Sequence, residues 1–170
     1  MNIRRNYAFL YVTLITVFIA ACGVYSFTGA SISPDIKTVS IDYFQNRALT
    51  VQPSLSQVFT EKMKDKFVSQ TNLTLTNQEG DLHFEGSITD YYTQPTAIQG
   101  NEQAALNRLT INVKVKFVNT KDEKQSFEST FSRFADYDSR TNLATVETEL
   151  INEICNQLVD DIFNKAVINW

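Results

Sequence analysis

The chain holds one histidine, His83, and two cysteines, Cys22 and Cys155. A lone imidazole has no second imidazole or thiolate with which to share a metal ion, so neither a metal nor a cofactor is expected. His83 falls on the polar side of a strand with Glu85 and Ser87 and is expected to be an exposed strand residue. A serine elbow, a glycine-rich phosphate loop and any run of metal-ligand spacing are also missing. The clustered carboxylates Asp136 and Asp138 are the nearest approach to an acid/base pair of the kind glycosidases use. Beside Arg133 and Arg140, ahead of a helix, they read instead as turn and helix-start residues. No enzymatic activity is expected.

A basic excess is missing too. Fifteen Lys and Arg stand against nineteen Asp and Glu, a formal charge of −4. Loss of residues 1–21 would remove Arg4 and Arg5 but no acidic residue and take the balance to −6. That field repels nucleic acid, which is excluded as a partner. An anionic glycolipid or membrane surface could be held only by a local basic patch or through acyl chains.

What is present begins with a positive segment containing Arg4 and Arg5, followed by an uncharged apolar run from Tyr7 to Ala21. This layout is that of a secretory signal. The run is about fifteen residues, short of the roughly twenty that a membrane-crossing helix needs. Cys22 follows Ile19-Ala20-Ala21 directly, which resembles the lipobox of bacterial lipoproteins. Small residues expose the backbone to a signal peptidase, and the cysteine thiol can be alkylated by diacylglycerol. Two or more acyl chains, palmitate among them, make anchoring effectively stable, since each buried methylene contributes about 0.8 kcal/mol. Cys22 is therefore the expected lipidated first residue of the mature chain, with 1–21 the cleaved signal peptide, 22–34 a lipidated tether and 35–170 one α+β domain. That length is typical of a single domain. With Cys22 acylated, Cys155 stands alone and no internal disulfide can form.

Along the domain, Thr38 to Phe44 alternates Val39, Ile41 and Tyr43 against polar neighbours and predicts a first strand. Ser54 with Gln57 three residues later, after Pro53, predicts a capping box and a helix over 54–69, with Leu55, Val58, Phe59, Met63 and Phe67 on its apolar side. Leu73 to Leu75 reads as a short strand, and Leu82 to Tyr92 as a long one with Leu82, Phe84 and Ile88 on one face. The loop from Thr93 to Asn107 is longer than a hairpin needs, a trait both of functional loops and of disordered surface excursions. From Leu109 to Phe117 the alternation is clean, and a turn over 119–124 lets Phe117 pair with Phe127, which sets Lys116 opposite Glu128. Lys114, Lys116 and Arg133 are the best candidates for a cationic patch, with at least one of them open to ion pairing. The last helix has the strongest periodicity, with Leu150, Ile151, Ile154, Cys155, Leu158 and Ile162 in its stripe, so that Cys155 is expected to be a small buried hydrophobe. The order of elements implies a two-layer α+β sandwich, with a mixed sheet of four to five strands, both helices on one face, and a polar and open second face.

The segment Cys22-Gly23-Val24-Tyr25-Ser26-Phe27-Thr28-Gly29, followed by Pro34 and a strand, resembles the opening of the outer-membrane lipopolysaccharide-assembly lipoproteins, the LptE family. Val24 is an extra residue relative to the family's Cys-Gly-Tyr-x-Phe-x-Gly type of opening. Asn107-Arg108-Leu109-Thr110-Ile111 and the closing helix extend the likeness over essentially the whole mature chain. The resemblance implies a non-enzymatic lipoprotein of the outer membrane, on its periplasmic side. In that family the lipoprotein plugs, and helps to assemble, an LptD-like β-barrel translocon that inserts lipopolysaccharide into the outer leaflet. Lipopolysaccharide itself is then a candidate ligand, with Lys114, Lys116, Arg133 and Arg108 as candidate contacts to it or to the partner. Two rival readings are a lipoprotein that regulates a periplasmic cell-wall enzyme by protein binding, and a periplasmic hydrolase using Asp136 and Asp138.

Overall fold

The computed structural model describes residues 32–50, 52–96 and 106–168. The proposed signal peptide, Cys22 and the aromatic tether, along with most of the loop after Pro95, lie outside the described residues.

The described residues form six strands and two long helices: β1 (Thr38–Ile41), β2 (Gln45–Asn46), α1 (Leu55–Gln70), β3 (Thr74–Leu75), β4 (Leu82–Pro95), β5 (Leu106–Asn119), β6 (Phe127–Asp138) and α2 (Leu143–Phe163). The strands form one mixed sheet in the order β3-β1-β4-β5-β6, with β2 also pairing β4. β1 lies parallel to both β3 and β4, whereas β4, β5 and β6 form an antiparallel meander. A parallel neighbour cannot be reached by a tight turn, and α1 supplies the crossover between β1 and β3.

The core lies between one face of this sheet and the two helices. Phe84, Phe117 and Phe127 stand side by side across β4, β5 and β6, with ring centroids 4.7 and 5.2 Å apart. Phe67 of α1 reaches Phe84 at 4.7 Å and Phe163 of α2 at 5.1 Å, so one run of rings joins both helices to three strands. Tilted and edge-on aromatic pairs of this kind add about 0.5–1.5 kcal/mol each beyond their buried area. The expected pairing of Phe117 with Phe127 is the observed register. Cys155 is fully buried in the α2 stripe, as expected.

Three details depart from the sequence reading. The first strand ends at Ile41, after which the chain shifts by one residue, leaving Tyr43 57% exposed and Phe44 fully buried. The shift is held from α1: Phe44 N donates to Thr60 Oγ1 at 3.1 Å and Asn46 N to Ser56 Oγ at 2.9 Å. Secondly, Ser54 precedes the helix but forms no capping box, because its hydroxyl donates to Gln52 Oε1. Thirdly, Asp136 and Asp138 belong to the end of β6 and not to a turn, since β5 and β6 stay paired as far as Leu106 and Asp138.

Candidate partner-binding face

Among the described residues, no helix lies on the second face of the sheet. Its residues follow from strand alternation: His83, Glu85 and Ser87 on β4, Arg108, Thr110, Asn112, Lys114 and Lys116 on β5, and Glu128, Thr130, Ser132, Phe134 and Asp136 on β6. Between Ile88 and Asp90 the β4 register slips, so beyond this bulge Tyr91 turns into the core and Tyr92 turns outward.

The candidate cations do not form one patch. Lys114 is ion-paired with Glu128, and Lys116 with Glu85, although its cross-strand neighbour on β6 is Glu128. The Lys116 ammonium holds the Glu85 carboxyl below its ordinary value, and Lys114 does the same for Glu128. Arg108 forks onto Asp136, with Nε–Oδ1 at 2.7 Å and Nη2–Oδ2 at 2.8 Å, and its guanidinium lies 3.5 Å from the centroid of the Phe134 ring. Arg133 points the other way. It shares the parity of Phe127 and Phe131, faces the helices, and forks onto Asp161 of α2. The face therefore presents neutralised pairs, Lys114–Glu128, Lys116–Glu85 and Arg108–Asp136, and no continuous positive field.

Towards the end of the sheet next to residues 97–105, the face changes character. Thr110 is buried between its cross-strand neighbours Tyr92 and Phe134, which are themselves 42% and 46% exposed. Next along β5, Asn112 donates to Asp90 Oδ2 at 3.1 Å, while its own Oδ1 is buried without a hydrogen-bond partner among the described residues. Sequence alternation places Thr110, Asn112 and Phe134 outward, but Tyr92 joins them only through the bulge at Thr89, for which the sequence offers no cue.

Asp136 and Asp138 do not make an acid/base pair. The Arg108 guanidinium lowers the Asp136 carboxyl from its ordinary value, and the Arg140 guanidinium and backbone hold Asp138 at about 2. Both are ionised at neutral pH, so neither can serve as a general acid there.

His83 is less exposed than expected. Its Nδ1 lies 2.7 Å from the buried Ser40 hydroxyl, its Nε2 3.8 Å from Asp42 Oδ2, and the side chain is 19% exposed.

A search of curated protein sequences returns no match. Solved structures share the fold at low identity. A minor lipoprotein from Acinetobacter baumannii is 13% identical, with 79% of this chain and 94% of that chain covered at a TM-score of 0.53. A hypothetical protein from Chlamydia trachomatis is 10% identical over 77% of this chain and 98% of that chain, also at 0.53. A protein from Xanthomonas campestris is 8% identical over 82% and 90%, at 0.52. The model of the lipopolysaccharide-assembly family LptE matches residues 36–166, which run from the approach to β1 to the turn beyond α2 and take in both layers of the sandwich. The chain belongs to the LptE lipopolysaccharide-assembly family.

Proposed function

We propose that this protein is the lipoprotein component of an outer-membrane lipopolysaccharide translocon, anchored through Cys22 on the periplasmic side and bound to an LptD-like β-barrel that it plugs and helps to assemble. The supporting observation is that the family match runs over residues 36–166, from just before β1 to beyond α2. In this reading residues 1–21 are the signal peptide, 22–34 the lipidated tether and 35–170 the working domain. No described helix is long and apolar enough to cross a membrane. The activity is non-enzymatic: the protein works by occupying a surface of its partner. Of its own surfaces, the uncovered sheet face fits that task. Arg108, Lys114 and Lys116 are already paired there, so docking leaves few isolated ions to desolvate, and Tyr92 and Phe134 offer apolar area beside them.

Affinity purification of the lipidated chain from detergent-solubilised envelopes tests the reading. A large β-barrel protein recovered in stoichiometric amount is the expected result. Its absence, with a soluble periplasmic enzyme recovered instead, would overturn the proposal.

A further inference from the structure

Where β1 meets β4, three potential ligand side chains converge on the open sheet face. β1 and β4 run parallel with Ser40 beside His83 and Ile41 beside Phe84, and the backbone continues as Asp42 N donates to Phe84 O at 2.9 Å. That register sets Asp42, His83 and Glu85 on one face, with one ligand atom of each within 4.8 Å of the others. We propose that Asp42, His83 and Glu85 bind one divalent transition-metal ion of the zinc type, with Ser40 as the positioning residue.

The donor set is an imidazole nitrogen and two carboxylate oxygens, a combination that zinc accepts at about 2.0–2.2 Å per ligand. Tetrahedral ligands on one zinc stand roughly 3.3 Å apart, so the cluster must close by about 1.5 Å. Rotation of the exposed Asp42 and of the long Glu85 side chain supplies that movement, with His83 fixed. The fixing is the second observation. A metal-bound histidine almost always donates its other ring N–H to an acceptor, which sets tautomer and ring plane. In the tautomer with the proton on Nδ1, which leaves Nε2 free to bind a metal, that acceptor is Ser40 Oγ at 2.7 Å, a buried hydroxyl that also accepts the Gly80 N–H at 3.0 Å and can donate its own hydrogen to Leu82 O. With Nδ1 committed to Ser40, the Nε2 lone pair is directed towards the two carboxylates. Glu85 now holds Lys116, and metal binding would exchange that exposed ion pair, a weak one by nature, for a coordinate bond. Water completes the coordination sphere, which leaves the ion accessible from the open face.

The test is zinc titration of the full chain in detergent by isothermal calorimetry, followed by cobalt(II) substitution and visible absorption. Saturable binding of one zinc per chain is expected, weakened about tenfold or more in Asp42→Asn and Glu85→Gln and abolished in His83→Ala. Should His83→Ala fail to fold, as judged by circular dichroism, His83→Gln serves as the second variant with the same expected loss. Ser40→Ala should retain cobalt binding with a shifted visible band and about tenfold lower affinity. Absence of saturable zinc binding below about 1 mM, or binding that persists unchanged in a folded His83 variant, overturns the proposal. An unaltered cobalt spectrum and affinity in Ser40→Ala overturns the role given to Ser40.

Discussion

The ring of Phe44 lies directly over Gly86: a Cβ built on Gly86 would stand 2.7 Å from Phe44 Cε1 and 2.1 Å from the Lys114 carbonyl oxygen across the strand pair. Phe44 can be fully buried only because β4 has no side chain there. Gly86→Ala should therefore push β4 from β5 and lift Phe44, at a cost of about 3 kcal/mol, the upper range for overpacking. Urea denaturation measures this, and a midpoint equal to that of the parent chain would contradict the packing described.

The phenol of Tyr91 donates to Glu147 Oε1, fastening the far half of β4 to the start of α2. Burial, and then the Glu147 carboxylate, push the Tyr91 phenol well above its ordinary value of 10.0. A group whose pKa is raised by folding stabilises fully below its unfolded value and loses that contribution as pH rises above it. Tyr91→Phe should cost about 1–3 kcal/mol at pH 7, because a charged acceptor loses its donor. The gap between variant and parent should narrow above about pH 10. Paired melts at pH 7 and pH 10.5 check the sign, and a gap that widens with pH would refute it.

Asp81 performs a similar task at the other end of β1. Its Oδ2 accepts the Lys37 and Thr38 N–H groups at 2.8 and 3.0 Å, and Lys121 Nζ lies 3.0 Å from Oδ1. The Lys37 N–H, then Lys121, hold the carboxyl far below its ordinary value of 3.8. A depressed pKa stabilises above the unfolded value and is lost as pH falls through the folded one. Asp81→Asn should cost about 1–2 kcal/mol at pH 7 and progressively less below about pH 4. Urea midpoints at pH 7 and pH 3 provide the comparison, and a difference independent of pH would discredit the role given to the carboxylate.

Burial pushes the Cys155 thiol up to about 12. In a Cys22→Ala chain it is the sole cysteine. It should be unreactive towards a thiol-specific chromogenic reagent at pH 8 until the protein unfolds, because thiolate is scarce and the sulfur is covered. Rapid labelling of the folded chain would show that α2 opens at that point. The same variant should be absent from the membrane fraction if Cys22 carries the anchor.

The layers of the fold were legible because period and burial coincide in it. Val113, Val115 and Phe117 alternate cleanly, and Ile154, Cys155, Leu158 and Ile162 repeat at three and four, and all of them are buried. Two things were not legible. Ser56 and Thr60 look like polar interruptions of the α1 stripe, yet both are buried because they accept backbone N–H groups released where β1 ends. The convergence of Asp42, His83 and Glu85 depends on the parallel register of β1 with β4, which no local pattern encodes. Arg133 differs from both. Its even spacing from Phe127 and Phe131 already assigned it to the helix side, so grouping it with Lys114 and Lys116 conflicted with the alternation itself.

That geometry separates the candidate cations experimentally. Lys114 and Lys116 lie on the open face, each balancing a glutamate, whereas Arg133 is bound to Asp161 on the helix side. Replacing both lysines by glutamine would leave Glu128 and Glu85 uncompensated and make the open face negative. If lipopolysaccharide phosphates meet this face, their retention by the purified complex should fall several-fold, and the dependence on salt should change, because two neutral ion pairs have been replaced by two uncompensated carboxylates that repel phosphate. Arg133→Gln should leave retention unchanged. Equal losses in the two variants would mean that the effect runs through stability and not through contact. No loss in the double lysine variant would remove both lysines from the candidate contacts and leave Arg108, stacked on Phe134, as the candidate contact still to test on that face.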